Sequence, residues 1–269
     1  MAGPSLPDVR VNGQGVDIGL GPGSDAMFLA LMGGYGHTTA MQIRDGRVRG
    51  LGLHLARLDA ATRELFGRGL DGGPVRERIR QALDATDRRD VSLRVYVYAP
   101  DPGAGPQTAT VVRPPVPEPD APQRLRSVPY VRTQAHIKHV GVFGQAYHLR
   151  RVIAEGFDEA LLVGPDGTVT EGAITNVGFL AGDTVVWPDA PALDGITMLL
   201  LRRELERAGL RWRRQPVMLD EVADFDAAFV SNSIGVAPVS QIDEVRFATG
   251  AEMLRVLRKL YAEVPWDTV

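Results

Sequence analysis

The stretch "IKHVGVFGQAYHLRRVIAEGFDEALLVGPDGTVTEGAITNVGF", residues 137–179, holds the most information in the chain. "GQAYHLRRVIAEG" reads as a helix that Gly156 ends as a C-terminal cap. From "EALLV" onward the pattern is a run of strands, broken by turns at "PDG" and, just beyond the stretch, at "AGD". Ahead of the helix lies Lys138, in a segment that reads as a loop. The chain has 30 basic residues, and only Lys138 and Lys259 are lysines. An ammonium can lose its proton and become a nucleophile, whereas a guanidinium effectively cannot.

Working outward, "HLARLDAATRELFGRGL" repeats apolar residues at helical spacing through Leu55, Leu58, Ala61, Leu65 and Phe66. A second helix follows Gly73 and Pro74, in "VRERIRQALDATD". "VSLRVYVY", residues 91–98, alternates: Val91, Leu93, Val95 and Val97 lie on one face, Ser92, Arg94, Tyr96 and Tyr98 on the other. Short strands are expected around the "RDGR" turn at 44–47, and 1–25 reads as irregular, with "GPGSD" at 21–25 a turn. The proline-dense "RPPVPEPDAPQ", 113–123, resists helix and central strand. It suggests a small N-terminal α+β domain (1–115), a Pro-rich linker (116–122) and a larger domain (123–269). "LRSVPYVRT" and "AAFVSNS" read as strands there, "DGITMLLLRRELERAG" and "GAEMLRVLRKLYAEV" as helices. Helices and strands mix without strict alternation, so the class is α+β rather than a doubly wound sheet.

Bulk properties narrow the functional classes. Hydrophobic residues make up 44% and charged residues 23% of 269, with a net charge of -3. That balance fits a soluble globular protein and favours neither nucleic acid nor an anionic membrane as partner. The absence of cysteine rules out disulfides and thiolate metal sites, and the five histidines have no ligand spacing with carboxylates, so no metal is expected. No apolar run is long enough for a membrane span, and the expected location is cytoplasmic.

Four elements carry chemistry: Lys138 in its loop, Glu171 at the end of "GTVTE", Arg57 in "HLARL", and Gly195, Ile196 and Thr197 opening a helix. An amine for a Schiff base, a carboxylate for a pyridine nitrogen, and a helix N-terminus with an arginine for a phosphate are the parts of a pyridoxal 5'-phosphate site.

In order and spacing, residues 35–239 resemble the class IV aminotransferases, the fold-type IV pyridoxal phosphate enzymes. The family pattern is a lysine, a helix ending in glycine, "-DEALL-", a "DG" turn and "-TEG--SN-F"; this chain matches with Thr175 where serine is common. The resemblance implies a two-domain architecture, with a small N-terminal domain and a larger one built on a mixed, barrel-like sheet. It implies a homodimer as well. Lys138 resembles the Schiff-base lysine, Glu171 the partner of the pyridine nitrogen, and Arg57 the phosphate-binding arginine. Ile196 and Thr197 resemble the residues whose backbone and hydroxyl hold the phosphate. "FVSNSIGVAPV" resembles a second phosphate loop, with Ser233 its hydroxyl donor. Two features depart from the family. Phe143 stands where branched-chain enzymes carry a tyrosine, and "APDPGAG" lacks the arginine and histidine of the D-amino-acid enzymes.

The implied activity is transamination between an amino acid and a keto acid. The alternative within the family is an aminodeoxychorismate lyase, releasing pyruvate and 4-aminobenzoate; "SNSIGVAPV" and Thr39 in "GHTTAM" are similar to that branch. A non-catalytic cofactor-binding or interaction protein is a further alternative, but it would not need both Lys138 and Glu171. On the substrate side, Arg94 is the expected carboxylate anchor, with Tyr96 on its face and Tyr35, His37 and Thr39 in or near the Gly-rich turn.

Overall fold

The computed structural model describes residues 10–11, 14–15, 33–86, 88–99, 105–119 and 121–269. Apart from a two-stranded pair, β1 (Arg10–Val11) with β2 (Gln14–Gly15), the segment expected to be irregular at 1–25 lies outside the described residues, as does the "GPGSD" turn.

One sheet is five-stranded and antiparallel. Its order is β16–β4–β3–β5–β6, with β3 at His37–Arg44, β4 at Arg47–Arg49, β5 at Val91–Tyr98, β6 at Gln107–Arg113 and β16 at Trp266–Thr268. Val91, Leu93, Val95 and Val97 are all buried, packed with Met41 and Ile43 of β3 against α1 (Leu51–Phe66) and α2 (Gly72–Asp84). Burying each such side chain contributes about 1.5–3 kcal/mol, so the period-2 pattern sets which face meets the helices. The opposite face, with Thr38, Ala40 and Gln42 on β3 and Arg94 on β5, is left for the cavity described below.

Helix α1 carries Arg57, and its two ends are held differently. Gly67, at φ 67, closes the C-terminus by donating its N–H to Arg63 O. At the N-terminus Gly50 has φ 70, a left-handed conformation that glycine adopts without strain. No side chain of the helix itself caps it; Leu51 N–H donates to Asp267 Oδ2 at 2.8 Å. The last strand of the chain therefore returns across the molecule to complete the first sheet and cap its first helix. The second helix begins one residue before Gly73, with Asp71 accepting from Gly73 N–H at 2.9 Å.

The second sheet has nine strands in the order β12–β11–β10–β13–β14–β7–β8–β9, with β15 (Val245–Arg246) beside β14. These are β7 (Gln123–Pro129), β8 (Glu159–Val163), β9 (Val169–Gly172), β10 (Asn176–Ala181), β11 (Thr184–Pro188), β12 (Arg211–Gln215), β13 (Ala227–Asn232) and β14 (Gly235–Ile242). Most pairs are antiparallel; β7 with β8, β7 with β14, and β11 with β12 are parallel. Helix α3 (Phe143–Ala154) connects β7 to β8, and α4 (Ile196–Arg207) connects β11 to β12. The sheet curls until β9 lies near β10 and β11, enclosing a core that includes Phe179, Leu161 and Val230. Outside it, α4 and α5 (Glu252–Glu263) pack through Leu201, Leu205 and Leu257 onto Trp187 and Phe229. Strands β6, β12, β14 and β16 were not marked by the sequence patterns.

The segment 114–119, the described part of the Pro-rich stretch, joins the two sheets without regular structure. We retain the division into 1–115 and 123–269 as a proposal, with one exchange: β16 belongs to the N-terminal sheet. Among the described residues, no helix is long and apolar enough to cross a membrane.

Candidate active site

A cavity of about 510 Å³ lies between the two sheets. Lys138, Arg57, Glu171, Ile196, Thr197, Ser233 and Arg94 all line it. Residues from six separate elements thus meet at one place.

The loop carrying Lys138 is held from both sides. Thr38 N–H donates to Lys138 O at 2.8 Å and Val140 N–H to Gly36 O at 3.0 Å, tying the loop to the start of β3. From the other side the Arg132 guanidinium donates to Ala135 O (2.9 Å), Ile137 O (2.7 Å) and Glu171 Oε1 (3.0 Å). Arg132 is buried at 5% exposure and Glu171 at 4%, so this is an ion pair screened from water. One side chain therefore fixes the backbone next to Lys138 relative to the carboxylate of Glu171. Glu171 Oε2 accepts from Leu193 N–H at 3.2 Å. Burial pushes the Glu171 carboxyl up, and Arg132 opposes that shift. The Arg132 guanidinium holds Glu171 Oε1, and the carboxyl keeps lone pairs for a donor in the cavity.

Lys138 is shifted the other way. Burial, together with Arg57, Arg132 and Arg94, lowers its pKa to about 8, although Glu171 pulls it up. A neutral amine is then accessible near physiological pH. Lys259 is a surface residue, with a side chain 76% exposed and 3.9 Å from Glu263. In the cofactor-free protein, reductive methylation of Lys138 should therefore follow an inflection near pH 8. Lys259, with its side chain 76% exposed, serves as the internal control. Peptide-resolved labelling across pH checks this; coincident profiles would show that the cavity does not perturb Lys138.

Also on the cavity wall, α4 starts at Ile196 with Gly195 as its N-cap and no side-chain cap. Its first N–H groups are left open, as an anion requires. A Cβ on Gly195 would collide with Asn176 Oδ1. Asn176 Nδ2 in turn donates to Leu193 O at 2.6 Å, fixing the approach to the helix. Thr197 is buried, and its hydroxyl donates to Asn232 O at 2.6 Å, so its backbone N–H rather than its hydroxyl proton is free for a ligand. Ser233 sits at the tip of the two-residue β13–β14 turn. Two residues earlier, Ser231 is 1% exposed, lines the cavity, and its Oγ has no partner. A buried unpaired hydroxyl is expensive unless a ligand satisfies it. Beside the open helix end and Arg57, this orphaned hydroxyl fits a phosphate group.

Not every residue singled out above reaches the cavity. The alternation of β3 points Thr38 into it and turns His37 and Thr39 towards α1. His37 Nε2 lies 2.9 Å from Thr62 Oγ1, and burial with Arg57 lowers its pKa to about 4. Tyr35 is 58% exposed and donates to Leu65 O. Tyr96 shares the face of Arg94 but does not line the cavity. Phe143 is 82% exposed and does not line the cavity. Sequence reasoning missed Arg132, His54, Asn176, Ser231 and Glu159. Buried Glu159 accepts from Ala160 N–H, Ile174 N–H and Thr175 Oγ1, bracing the turn after Glu171; burial lifts its pKa to about 7. "DEALL" pointed to this position, but only as part of a family pattern.

The amino-transferase class IV family model matches residues 36–242. The chain belongs to that family, whose members depend on pyridoxal phosphate. A D-alanine aminotransferase from Bacillus licheniformis is 27% identical over 239 residues, covering 81% of this chain and 82% of that one. An aminodeoxychorismate lyase from Bacillus subtilis is 29% identical over 107 residues, 38% of this chain and 36% of the relative. In fold, the chain is similar to a putative 4-amino-4-deoxychorismate lyase from Legionella pneumophila, with a TM-score of 0.81 and 20% identity over 89% of this chain and 93% of that one. Aminotransferases and lyases both occur among its relatives, on the fold-type IV architecture.

Proposed function

We propose that the chain is an aminotransferase that exchanges an amino group between an α-amino acid and a keto acid, using pyridoxal 5'-phosphate held in this cavity. The observation that carries the reading is the half-buried Lys138 amine, with its lowered pKa, in a cavity shared with the Arg132-locked carboxyl of Glu171 and the open N-terminus of α4. Once bound, the cofactor supplies an electron-withdrawing ring that makes the substrate Cα–H acidic. The chain supplies the rest. Arg57, Ser231, Ser233 and the N–H groups of Ile196 and Thr197 would bind the phosphate; Glu171 would accept a hydrogen bond from the ring N–H and so keep that nitrogen protonated. Lys138 would hold the cofactor through its amine and, as a free amine, would take the proton from the substrate Cα.

Transamination is preferred over the lyase reaction because sequence similarity to the Bacillus licheniformis aminotransferase runs over 81% of the chain, against 38% for the Bacillus subtilis lyase. The test is a screen of amino donors and keto acceptors, with pyruvate release from aminodeoxychorismate monitored in parallel. Pyruvate release without amino transfer to any keto acid would overturn the choice. We propose further that the protein is cytoplasmic and dimeric. Val142, Phe143, Tyr147 and Ile174, exposed apolar residues near the cavity, support a second copy packing there.

Arg94 is proposed as the substrate's carboxylate anchor. It is exposed, lines the cavity, and has no hydrogen bond or ion pair among the described residues. Losing a charge-assisted bond of this kind costs roughly 1.5–3 kcal/mol, about ten- to a hundredfold in affinity. Arg94→Ala should therefore raise KM for α-amino acids by about that factor, while amines lacking a carboxylate change little. Steady-state kinetics on both substrate types checks it; equal effects on the two would place Arg94 outside the binding site.

A further inference from the structure

Behind Arg57 lies a buried polar chain for which the proposed reaction has no use. Thr39 is 0% exposed and His54 3%. Arg57 Nη2 donates to Thr39 Oγ1, and Thr39 Oγ1 lies 2.7 Å from His54 Nδ1. The Thr39 hydroxyl has no other partner among the described residues, so its proton goes to Nδ1 and leaves the proton of a neutral His54 on Nε2. Burial and the neighbouring Arg57 charge hold His54 well below its ordinary value, consistent with a neutral ring. His54 and Arg57 are one turn apart on α1, and the alternation of β3 brings Thr39 between them.

The chemistry of this brace is informative. Arg57 has no carboxylate partner among the described residues, its Nε is buried without a partner, and burial lowers its pKa to about 10. A carboxylate brace would hold the guanidinium but cancel its charge. A threonine and a neutral histidine hold it and leave the charge for an anion in the cavity.

We propose that Thr39 and His54 are positioning residues, acting as one hydrogen-bonded chain that aims Arg57 at the cofactor phosphate. The proposal rests on the reading that pyridoxal phosphate occupies the cavity. It also gives Thr39 a role in cofactor binding, whereas its sequence context suggested the substrate side.

The test compares two ligands on the full chain stripped of cofactor: pyridoxal 5'-phosphate, and pyridoxal, which lacks the phosphate. Thr39→Val and His54→Leu should each raise the Kd for the phosphorylated form by roughly tenfold, the scale of one charge-assisted hydrogen bond. The Kd for pyridoxal should change by less than about twofold, since Arg57 has nothing to hold there. The double variant should bind no worse than either single one, because both break the same chain. His54→Gln, whose Oε1 can accept from Thr39, should restore most of the affinity. If His54→Leu does not fold, the Thr39→Val and His54→Gln pair still decides the question. Equal weakening for both ligands, or additive losses in the double variant, would reduce the chain to a packing role and overturn the proposal. A parent protein that fails to bind pyridoxal phosphate saturably would remove the cofactor reading and this inference together; a parent that binds it with unaffected variants would remove the inference alone.

Discussion

Replacing Lys138 with alanine should abolish turnover, a loss of roughly ten-thousandfold or more, because the proposed covalent anchor and the proposed base are one and the same amine. Lys259→Ala should leave turnover unchanged, since that side chain is a surface residue beside Glu263. The contrast is controlled by the protein itself, which has only these two lysines. Borohydride treatment of the holoenzyme, followed by peptide mapping, should place a reduced cofactor adduct on Lys138, and the Lys138→Ala protein should carry none. Amino transfer retained in that variant would sink the assignment of the site, whatever the fold.

Glu171→Gln has the second largest expected effect, and it should fall on turnover more than on cofactor binding. A neutral amide cannot hold positive charge on the ring nitrogen, so kcat should drop on the order of a hundredfold or more. The residues proposed to bind the phosphate are unaltered and should keep the cofactor bound. The substitution has a second consequence. It leaves Arg132 as a buried cation without its 3.0 Å counter-charge, although the bonds to Ala135 O and Ile137 O remain. Removing one member of a buried pair costs about 3–5 kcal/mol, so Tm should fall by several degrees as well. Measuring kcat, bound cofactor and Tm on one preparation separates the two effects. A kcat near that of the parent would show that Glu171 holds Arg132 without acting on the cofactor.

The parts of this architecture written in local periodicity were legible before the fold was seen. The alternation of 91–98 marked both the strand and the face that it buries, because each valine or leucine turned outward would forfeit its burial energy. The helix around Arg57 was legible for the same reason, although it starts four residues earlier than its apolar repeat, at Leu51. The cap that fixes this start is Asp267, 216 positions away. β16 was invisible for a similar reason: three residues have no periodicity, and their strand character comes from the edge they join. β12, "RWRRQ", has a polar composition that argues against a strand; parallel pairing with β11 overrides it.

The same division runs through the candidate site. Lysine scarcity, the "TEG" context and the helix opening at "DGIT" singled out Lys138, Glu171 and Thr197 as residue types suited to a chemistry, and the chain brings all three to one cavity. Sequence could not separate Arg132 from the 27 other arginines, because what distinguishes it is burial among two carbonyls and a carboxylate. Nor could it decide between adjacent Thr38 and Thr39. A strand presents its two faces at every second residue, and which face meets the cavity depends on what packs on the other side. Residue identity and short-range spacing thus settle what chemistry is possible and where chain elements begin. Long-range packing settles which charges lose water, and with that the Lys138 pKa, the Glu171 pair and the aim of Arg57, because desolvation is a property of the assembled neighbourhood and not of any one segment.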